Sequence, residues 1–257
     1  MSPATTGNGA RFAAEPISGG GTPAAAWREW VYAIPALDLS ECPGLLVVAP
    51  HPDDETLGFG AAASQLRSRG VEVTVVSVTD GGGSVPGLSP VERRWLERDR
   101  RAELFGAVEV LGLDEPVCLG LPDGELAERE EQLTASLVEL ITAGQAGLWC
   151  AATWRGDGHP DHEAVGRGAA AAVAGTDAVL LEYPVWMWHW ARPGDDAVPW
   201  DRMAMVPLDQ ESTARKRQAV AAFHTQLVGH ETGPDVDVVL PPFVLQRLFA
   251  IGEAVIR

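Results

Sequence analysis

A short, uncharged apolar segment early in the chain is the feature that most constrains the fold. The segment Gly44–Ala49 (GLLVVA) contains no charge and is followed by Pro50, a pattern typical of a strand buried on both faces. Strands of this kind occur in parallel sheets, where a helix usually connects one strand to the next. The sequence therefore predicts an α/β protein built around a parallel sheet.

The rest of the chain alternates between strand and helix patterns. Helices are predicted over residues 55–69, 90–106, 127–143, 160–174 and 209–224, and strands over 71–79, near 108 and 117, and over 148–153 and 178–183. No linker divides residues 23–257, so we expect one domain, a mostly parallel sheet with helices on both faces in a Rossmann-like sandwich. Ligands of such sheets bind beyond the carboxyl ends of the strands.

The first 22 residues differ in composition from the rest of the chain. Residues 1–22 are rich in Gly, Ala, Thr, Pro and Ser and offer few apolar side chains to a core. We expect a flexible arm or a loose wrap around the domain there. Trp27, Trp30 and Val31 follow at helical spacing and mark the predicted start of the domain.

Charge and cysteine content exclude several classes of partner. The formal net charge of −17 repels nucleic acids and anionic lipid surfaces. No apolar run approaches the roughly 18 residues of a membrane span, and we expect no signal peptide. Three cysteines without a C-x-x-C pair indicate neither a disulfide framework nor a thiolate zinc site, which favours a reducing cytoplasm. The composition leaves room for a homo-oligomer.

The tripeptide His-Pro-Asp occurs twice, each time after a predicted strand. The first copy begins at His51 and the second at His159, in a chain with only six histidines. Proline suits the first position of a helix and holds the preceding residue extended, so each histidine should end a loop and each aspartate should lie in a first helical turn. Both loops should therefore direct side chains into one crevice.

Three side chains of these loops form a suitable metal-ligand set. His51 and Asp54 lie three residues apart, and His162 joins them from the second loop. Two imidazoles and one carboxylate are ligands that Zn²⁺ accepts, and three protein ligands leave a position open for catalysis. Acids at a helix N-terminus can also serve only the helix dipole, but that explanation does not account for the histidines.

The neighbouring residues suggest a hydrolytic reaction. Zinc lowers the pKa of water from about 15.7 toward 7 and so makes it a nucleophile near neutral pH. Asp53 is left as the general base, and His159 can donate to an oxyanion or a leaving amine. Asp161 is expected to orient the His159 ring.

Two other functions use the same residues. A non-haem iron(II) enzyme can bind its metal through two histidines and a carboxylate, although the usual spacing there is His-x-Asp rather than the His-x-x-Asp of this chain. A catalytically silent sugar-binding module could also keep the crevice. The additional acid at Asp53 favours hydrolysis over both.

With these residues, the chain resembles the zinc-dependent deacetylases named after N-acetylglucosaminyl-phosphatidylinositol de-N-acetylase (PIG-L), also called LmbE-like proteins. The resemblance runs through residues 47–58 (VVAPHPDDETLG), 119–124 (LGLPDG) and 158–162 (GHPDH). It implies removal of an N-acetyl, or similarly small N-acyl, group from an amino sugar or its conjugate, as in natural-product or thiol-cofactor biosynthesis. It also implies the zinc ligands, base and assisting histidine assigned above.

The resemblance adds two substrate-binding residues and one departure. It implies that Asp123 and an arginine of residues 93–101, which we assign as Arg100, hold sugar hydroxyls. Some family members carry a tyrosine oxyanion donor where this chain has Asp157, so that role passes to zinc and His159, or to Tyr183 if it reaches the site.

A stripe of tryptophans follows the last predicted parallel strand. Trp186, Trp188 and Trp190 recur at a period of two, which predicts one side of an extended segment. Such aromatic faces can contact a sugar or an apolar aglycone, but they also occur in cores.

Overall fold

A computed structural model describes residues 7–228 and 238–257 of the protein. Seven strands form one sheet: β1 (Gly44–Ala49), β2 (Glu72–Thr79), β3 (Val117–Leu121), β4 (Trp149–Thr153), β5 (Val179–Tyr183), β6 (Met203–Met205) and β7 (Ala254–Ile256). Their order is β3-β2-β1-β4-β5-β7-β6. The first five are parallel, and β7 runs antiparallel to both β5 and β6.

Helices cover both faces of this sheet. The α-helices of the described residues are α1 (Asn8–Ala14), α2 (Ala24–Val31), α3 (Asp54–Ser68), α4 (Pro90–Leu111), α5 (Glu130–Ala143), α6 (Pro160–Val173), α7 (Met187–Trp190), α8 (Gln210–Val220), α9 (His224–Leu227) and α10 (Pro242–Ile251). Helices α3, α4 and α8 pack together on one face, while α5 and α6 pair on the other. The predicted α/β sandwich with a mostly parallel sheet is confirmed.

The alternation of side chains along β1 explains why that strand is apolar throughout. Leu45 and Val47 point into the core beneath α3 and α4, whereas Leu46 and Val48 point into the core beneath α5 and α6. Both faces are buried, so neither set of positions can be polar. The carboxyl ends of β1 and β4 then lie side by side at one edge, where both His-Pro-Asp loops begin.

Two local predictions were wrong. Residues near Val108 do not form a strand, because α4 continues to Leu111, with Leu104 and Val108 buried on one face, and ends at Gly112 in the left-handed conformation. The segment around Trp188 is helical rather than extended. A helix turns about 100° per residue, so its tryptophans diverge instead of sharing one side.

The segment predicted as a flexible arm contains α1, and residues 1–6 lie outside the described residues. Phe12 of α1 packs against Trp186, with ring centroids 5.4 Å apart. The buried guanidinium of Arg247 on α10 donates from Nε to the Thr22 carbonyl, at 2.6 Å. The few apolar side chains of this segment thus find partners that lie far away in the sequence.

The structure also gives the state of the cysteines and the length and hydrophobicity of the helices. Cys42, Cys118 and Cys150 are all free thiols. In the part of the chain that the structure describes, we find no helix with the length and hydrophobicity that crossing a membrane requires.

Candidate active site

The loop after β1 holds Asp53 in a strained conformation. Its φ of 128° makes Asp53 the only non-glycine residue with positive φ among residues 7–228 and 238–257. Asp53 occupies the N-cap position of α3 without a side-chain capping hydrogen bond, and Pro52 precedes it, so Asp53 does not lie in the first helical turn as predicted. The Asp53 N–H donates to Glu55 Oε2, at 3.0 Å. Backbone strain of this kind concentrates at functional sites.

The loop after β4 follows the predicted geometry. His159 is the N-cap of α6 with an extended backbone, and Pro160 occupies the first helical position. This start places His162 in the first turn of the helix, fully buried, and turns its ring toward the β1 loop. The two loops thus meet as expected.

The predicted metal ligands lie around one carboxylate oxygen. The Asp54 carboxylate oxygen Oδ2 lies 3.1 Å from His51 Nδ1 and 3.2 Å from His162 Nε2. Two atoms that each lie about 2.1 Å from one zinc ion are about 3 to 3.5 Å apart. His159 also offers a nitrogen, and the ligand atoms of the three histidines lie within 4.8 Å of one another.

The contacts of His162 Nε2 support a cation in this group. This buried nitrogen lies 3.2 Å from Asp54 Oδ2 but makes no well-aligned hydrogen bond among the described residues, whereas Nδ1 is 2.8 Å from Asp157 Oδ2. Buried polar atoms rarely remain unpaired without a function. The donor set of two imidazoles and a carboxylate therefore fits a divalent metal ion, and zinc accepts all three.

The charges around the site favour positive charge at His51 and His162. Burial lowers the pKa of His162, but Asp54 and Asp157 outweigh it and raise that pKa to about 9. Burial acts in the same way on His51, whose pKa is nevertheless raised well above its ordinary value by hydrogen bonds to Asp123, Asp161 and Asp54. The carboxylates that stabilise protonated imidazoles would equally stabilise a bound cation.

The predicted base lies beside these ligands. The Asp53 carboxyl is 5% exposed, and burial raises its pKa well above the ordinary value. The charge of Asp54 raises this pKa further, and Arg100 lowers it. Arg100 Nη2 lies 3.4 Å from Asp53 Oδ2 and so faces the candidate base directly.

The structure places Asp161 differently from the expectation. Its carboxylate accepts hydrogen bonds from the N–H groups of Gly124 (2.8 Å) and Leu126 (3.2 Å), and it lies 3.3 Å from His51 Nε2. Only the Asp161 main-chain N–H reaches His159, at Nδ1. Residues two positions apart at a helix start point in different directions, so Asp161 orients the ring of His51 instead of that of His159.

His159 stands close to both other histidines. Its ring centroid lies 5.0 Å from that of His51 and 4.9 Å from that of His162. Burial lowers the pKa of His159 well below its ordinary value, and the two neighbouring imidazoles lower it further. His159 therefore lies opposite the predicted metal ligands, as expected, and favours its neutral form.

Both predicted substrate-binding residues line the same cavity. Arg100 is 3% exposed, and its Nη1 and Nη2 donate to the carbonyls of Gly81 and Pro52, whereas its Nε has no partner among the described residues. Asp123 Oδ1 lies 3.0 Å from His51 Nε2, and its Oδ2 accepts from Gly83 N–H.

The cavity combines a polar floor with an apolar wall. Its volume is about 390 Å³. Polar residues of both loops line it together with apolar side chains from distant segments, among them Phe12, Ile17, Trp186, Val239 and Leu240. A small polar molecule with an apolar substituent matches this division.

Sequence reasoning missed the role of Asp157. Its carboxylate accepts from the N–H groups of Val185, Trp186 and Met187 and also holds His162 Nδ1. The only sequence signal is its position five residues before His162. Tyr183 does not reach the site, because its buried hydroxyl donates to the Val48 carbonyl at 2.8 Å.

Fold and site together define the class: an α/β protein with a His/Asp metal-binding group at the carboxyl edge of a parallel sheet. A comparison with protein families adds that residues 46–173 match the family described as PIG-L, GlcNAc-PI de-N-acetylase. The chain belongs to this family, and the resemblance inferred from the motifs is confirmed.

Relatives of known description support this membership. The 1D-myo-inositol 2-acetamido-2-deoxy-alpha-D-glucopyranoside deacetylase of Mycolicibacterium gilvum is 33% identical over 58% of this chain and 59% of the relative. The enzyme of the same name from a Mycobacterium species, strain KMS, is 30% identical over 72% of this chain and 74% of the relative. The chain thus spans between about three fifths and three quarters of these relatives.

Solved structures share the fold. A conserved protein of Thermus thermophilus is 29% identical, with a TM-score of 0.52 over 71% of this chain and 79% of that protein. The zinc-inhibited form of teicoplanin deacetylase is 21% identical, with a TM-score of 0.57 over 72% of this chain and 85% of that protein. At 21% identity, the similarity to teicoplanin deacetylase concerns the fold alone.

Proposed function

We propose that this protein is a zinc-dependent hydrolase that removes an N-acetyl, or similarly small N-acyl, group from an amino sugar or an amino-sugar conjugate. The observation that carries the proposal is the meeting of His51 Nδ1 and His162 Nε2 at Asp54 Oδ2, beside the spare carboxyl of Asp53. The family and the deacetylase activities of the relatives support the class of enzyme, an N-deacetylase.

The ligands of the metal are proposed to be His51, Asp54 and His162. When bound, zinc would supply Lewis acidity and a water of lowered pKa. Asp123 and Asp161 hold His51 Nε2 while Asp157 holds His162 Nδ1, so each imidazole has its outer nitrogen fixed by a carboxylate. Such contacts set the tautomer and orientation of a metal-binding histidine.

Four further residues are proposed to act on the attacking water or on the substrate. Asp53 takes the proton of the attacking water, and its raised pKa suits a group that must hold that proton and pass it on. His159 faces the ligands and would donate to the oxygen of the tetrahedral intermediate or to the leaving amine. Arg100 would contact the substrate through its unpaired Nε, and Asp123 through the cavity that it lines.

The test is the variant Asp53→Asn. We expect it to keep the metal and to lower acetate release from N-acetylglucosaminides by a factor on the order of 10² to 10⁴, because it cannot accept the proton. Elemental analysis gives the metal content and identity, and an acetate assay gives the rate.

Asp114→Asn is the matched control. Asp114 pairs with Arg67 at the surface, 2.9 Å away, and should tolerate the same substitution. Loss of metal from Asp53→Asn would make Asp53 a ligand rather than the base. Iron instead of zinc in the active protein, or an unchanged rate in Asp53→Asn, would contradict the proposal.

A further inference from the structure

A second cavity lies against the catalytic one. It has a volume of about 620 Å³, and Ile17, Ser84 and Val239 line both cavities. Val85 and Phe243 are among its other wall residues, and we call it the outer cavity. A substrate whose acetamide group lies at the metal ligands would extend past these shared walls into the outer cavity.

The outer cavity is free of charge among the described residues. Its lining contains aliphatic, proline, phenylalanine and serine side chains but no acid and no base. This lining contrasts with a chain in which 21% of the residues are charged and the net charge is −17. A charged substituent there would lose hydration without gaining a counter-charge from the described lining, whereas an apolar one would bury its surface favourably.

The walls of the outer cavity are held together before any ligand binds. Arg247 on α10 is 2% exposed and donates to the carbonyls of Gly20 and Thr22, which follow Ile17 in the chain. Its Nη1 also lies 3.1 Å from His189 Nδ1. These bonds connect the N-terminal segment to the helix that carries Phe243, so little ordering of the walls is needed on binding.

A single unpaired hydroxyl marks the junction of the two cavities. Ser84 Oγ is buried and has no hydrogen-bond partner among the described residues. It can donate to a glycosidic oxygen placed between a sugar and an apolar group. The junction therefore offers one hydrogen bond to the linkage.

These walls come largely from parts of the chain outside the family match. The matched residues 46–173 contain the metal ligands, but Ile17, Val239 and Phe243 lie beyond them. The outer cavity is thus contributed mainly by the N-terminal and C-terminal segments of this chain. Segments of this kind can set substrate preference without altering the reacting groups.

We propose that the outer cavity is a subsite for an uncharged, apolar aglycone, so that the substrate is an N-acetylated amino sugar linked to an apolar group. The inference rests on the proposed function for the reaction itself. It adds the chemical class of the conjugate, which excludes aglycones carrying phosphate or carboxylate in this cavity.

The test uses methyl, butyl and hexyl glycosides of N-acetylglucosamine with the metal-loaded protein. We expect kcat/KM for acetate release to rise about threefold to fourfold per buried methylene. A hexyl chain ending in a carboxylate should return to the value of the methyl glycoside. Calorimetric binding of the same compounds gives an independent measure.

Two phenylalanines on one helix provide a matched pair of variants. Phe243→Ala should reduce the hexyl-to-methyl ratio, whereas Phe249→Ala should leave it unchanged, because Phe249 stacks under Arg217 and lines neither cavity. Val85→Thr, which keeps the shape and adds a hydroxyl, should also reduce the ratio if Phe243→Ala does not fold.

The two measurements separate the two proposals. Binding that strengthens with chain length, without acetate release from any glycoside, would support the subsite and contradict the hydrolase. Binding and kcat/KM that are both independent of chain length would overturn the subsite, as would tighter binding of the carboxylate-ended chain.

Discussion

The carboxylate of Asp157 orients a proposed metal ligand without lining the cavity. It is fully buried, and three main-chain N–H groups at the start of α7 hold it in place. Its fourth partner is His162 Nδ1, at 2.8 Å. Because that nitrogen is engaged, Nε2 is left to face Asp54 and the proposed metal.

We expect Asp157→Asn to weaken metal binding by about 10-fold to 100-fold, the usual effect of removing such a partner. The measurement is calorimetric titration with zinc on protein whose circular dichroism is unchanged. Asp177→Asn is the control, since Asp177 accepts one N–H from Gly147 at the surface. A lower melting temperature with an unaltered affinity would indicate a purely structural role.

The backbone strain at Asp53 leads to a second prediction, which concerns stability. Asp53→Gly and Asp53→Ala both remove the carboxyl, but only alanine keeps a Cβ at a φ of 128°. The strain is worth roughly 1–3 kcal/mol, and the greater freedom of glycine in the unfolded chain offsets about 0.4–1 kcal/mol of that. The glycine variant should therefore be more stable by about 1 kcal/mol in urea unfolding. Equal stabilities would mean that the loop stores no strain.

At the scale of elements, the close approach of α3 to β5 positions the site. Gly58 faces Tyr183, and a Cβ at Gly58 would lie 2.1 Å from that ring. Tyr183 cannot retreat easily because it is buried and bonded to Val48. The first turn of α3, which carries Asp54, therefore packs against the carboxyl ends of the strands.

Two glycines of α3 allow a matched test. Gly58→Ala should destabilise the protein by about 1–3 kcal/mol through overpacking. A Cβ at Gly60 would approach no closer than 3.4 Å to Leu111, so Gly60→Ala should be neutral or should stabilise by up to about 1 kcal/mol through helix propensity. The free energies of urea unfolding give the comparison, and a harmless Gly58→Ala would show that the helix can move outward.

For the whole molecule, the proposed metal joins two distant parts of the chain. His51 and Asp54 follow β1, whereas His162 lies in α6, on the opposite face of the sheet from α3. An ion bound by all three favours the folded state, because the unfolded chain does not hold these residues together. Metal binding should therefore stabilise the fold as a unit.

At a free zinc concentration of about 100 times Kd, the free energy of unfolding should rise by about 2.7 kcal/mol. A chelator should remove this gain, and His162→Ala should lack most of it. Thermal unfolding with and without metal provides the measurement. The same gain in His162→Ala would remove His162 from the ligand set.

Much of the fold and part of the site could be predicted because their signals are local. The apolar run at β1, the helix periodicities and the two His-Pro-Asp tripeptides depend on residues close in sequence, and the family and sandwich inferred from them are confirmed. The prediction of a strand near Val108 was wrong because a short apolar run is compatible with either a strand or a buried helix end.

The sequence by itself determined the parallel sheet, the two His-Pro-Asp loops that follow its strands, and the family. Only the tertiary structure decided that Asp157 holds His162, that Asp161 turns to His51, and that Ile17 and Phe243 enclose an apolar cavity beside the site. The physical reason is that these contacts join segments that are distant in the sequence, and their distance in the fold depends on how the helices pack on the sheet. No pattern within a single segment specifies that packing.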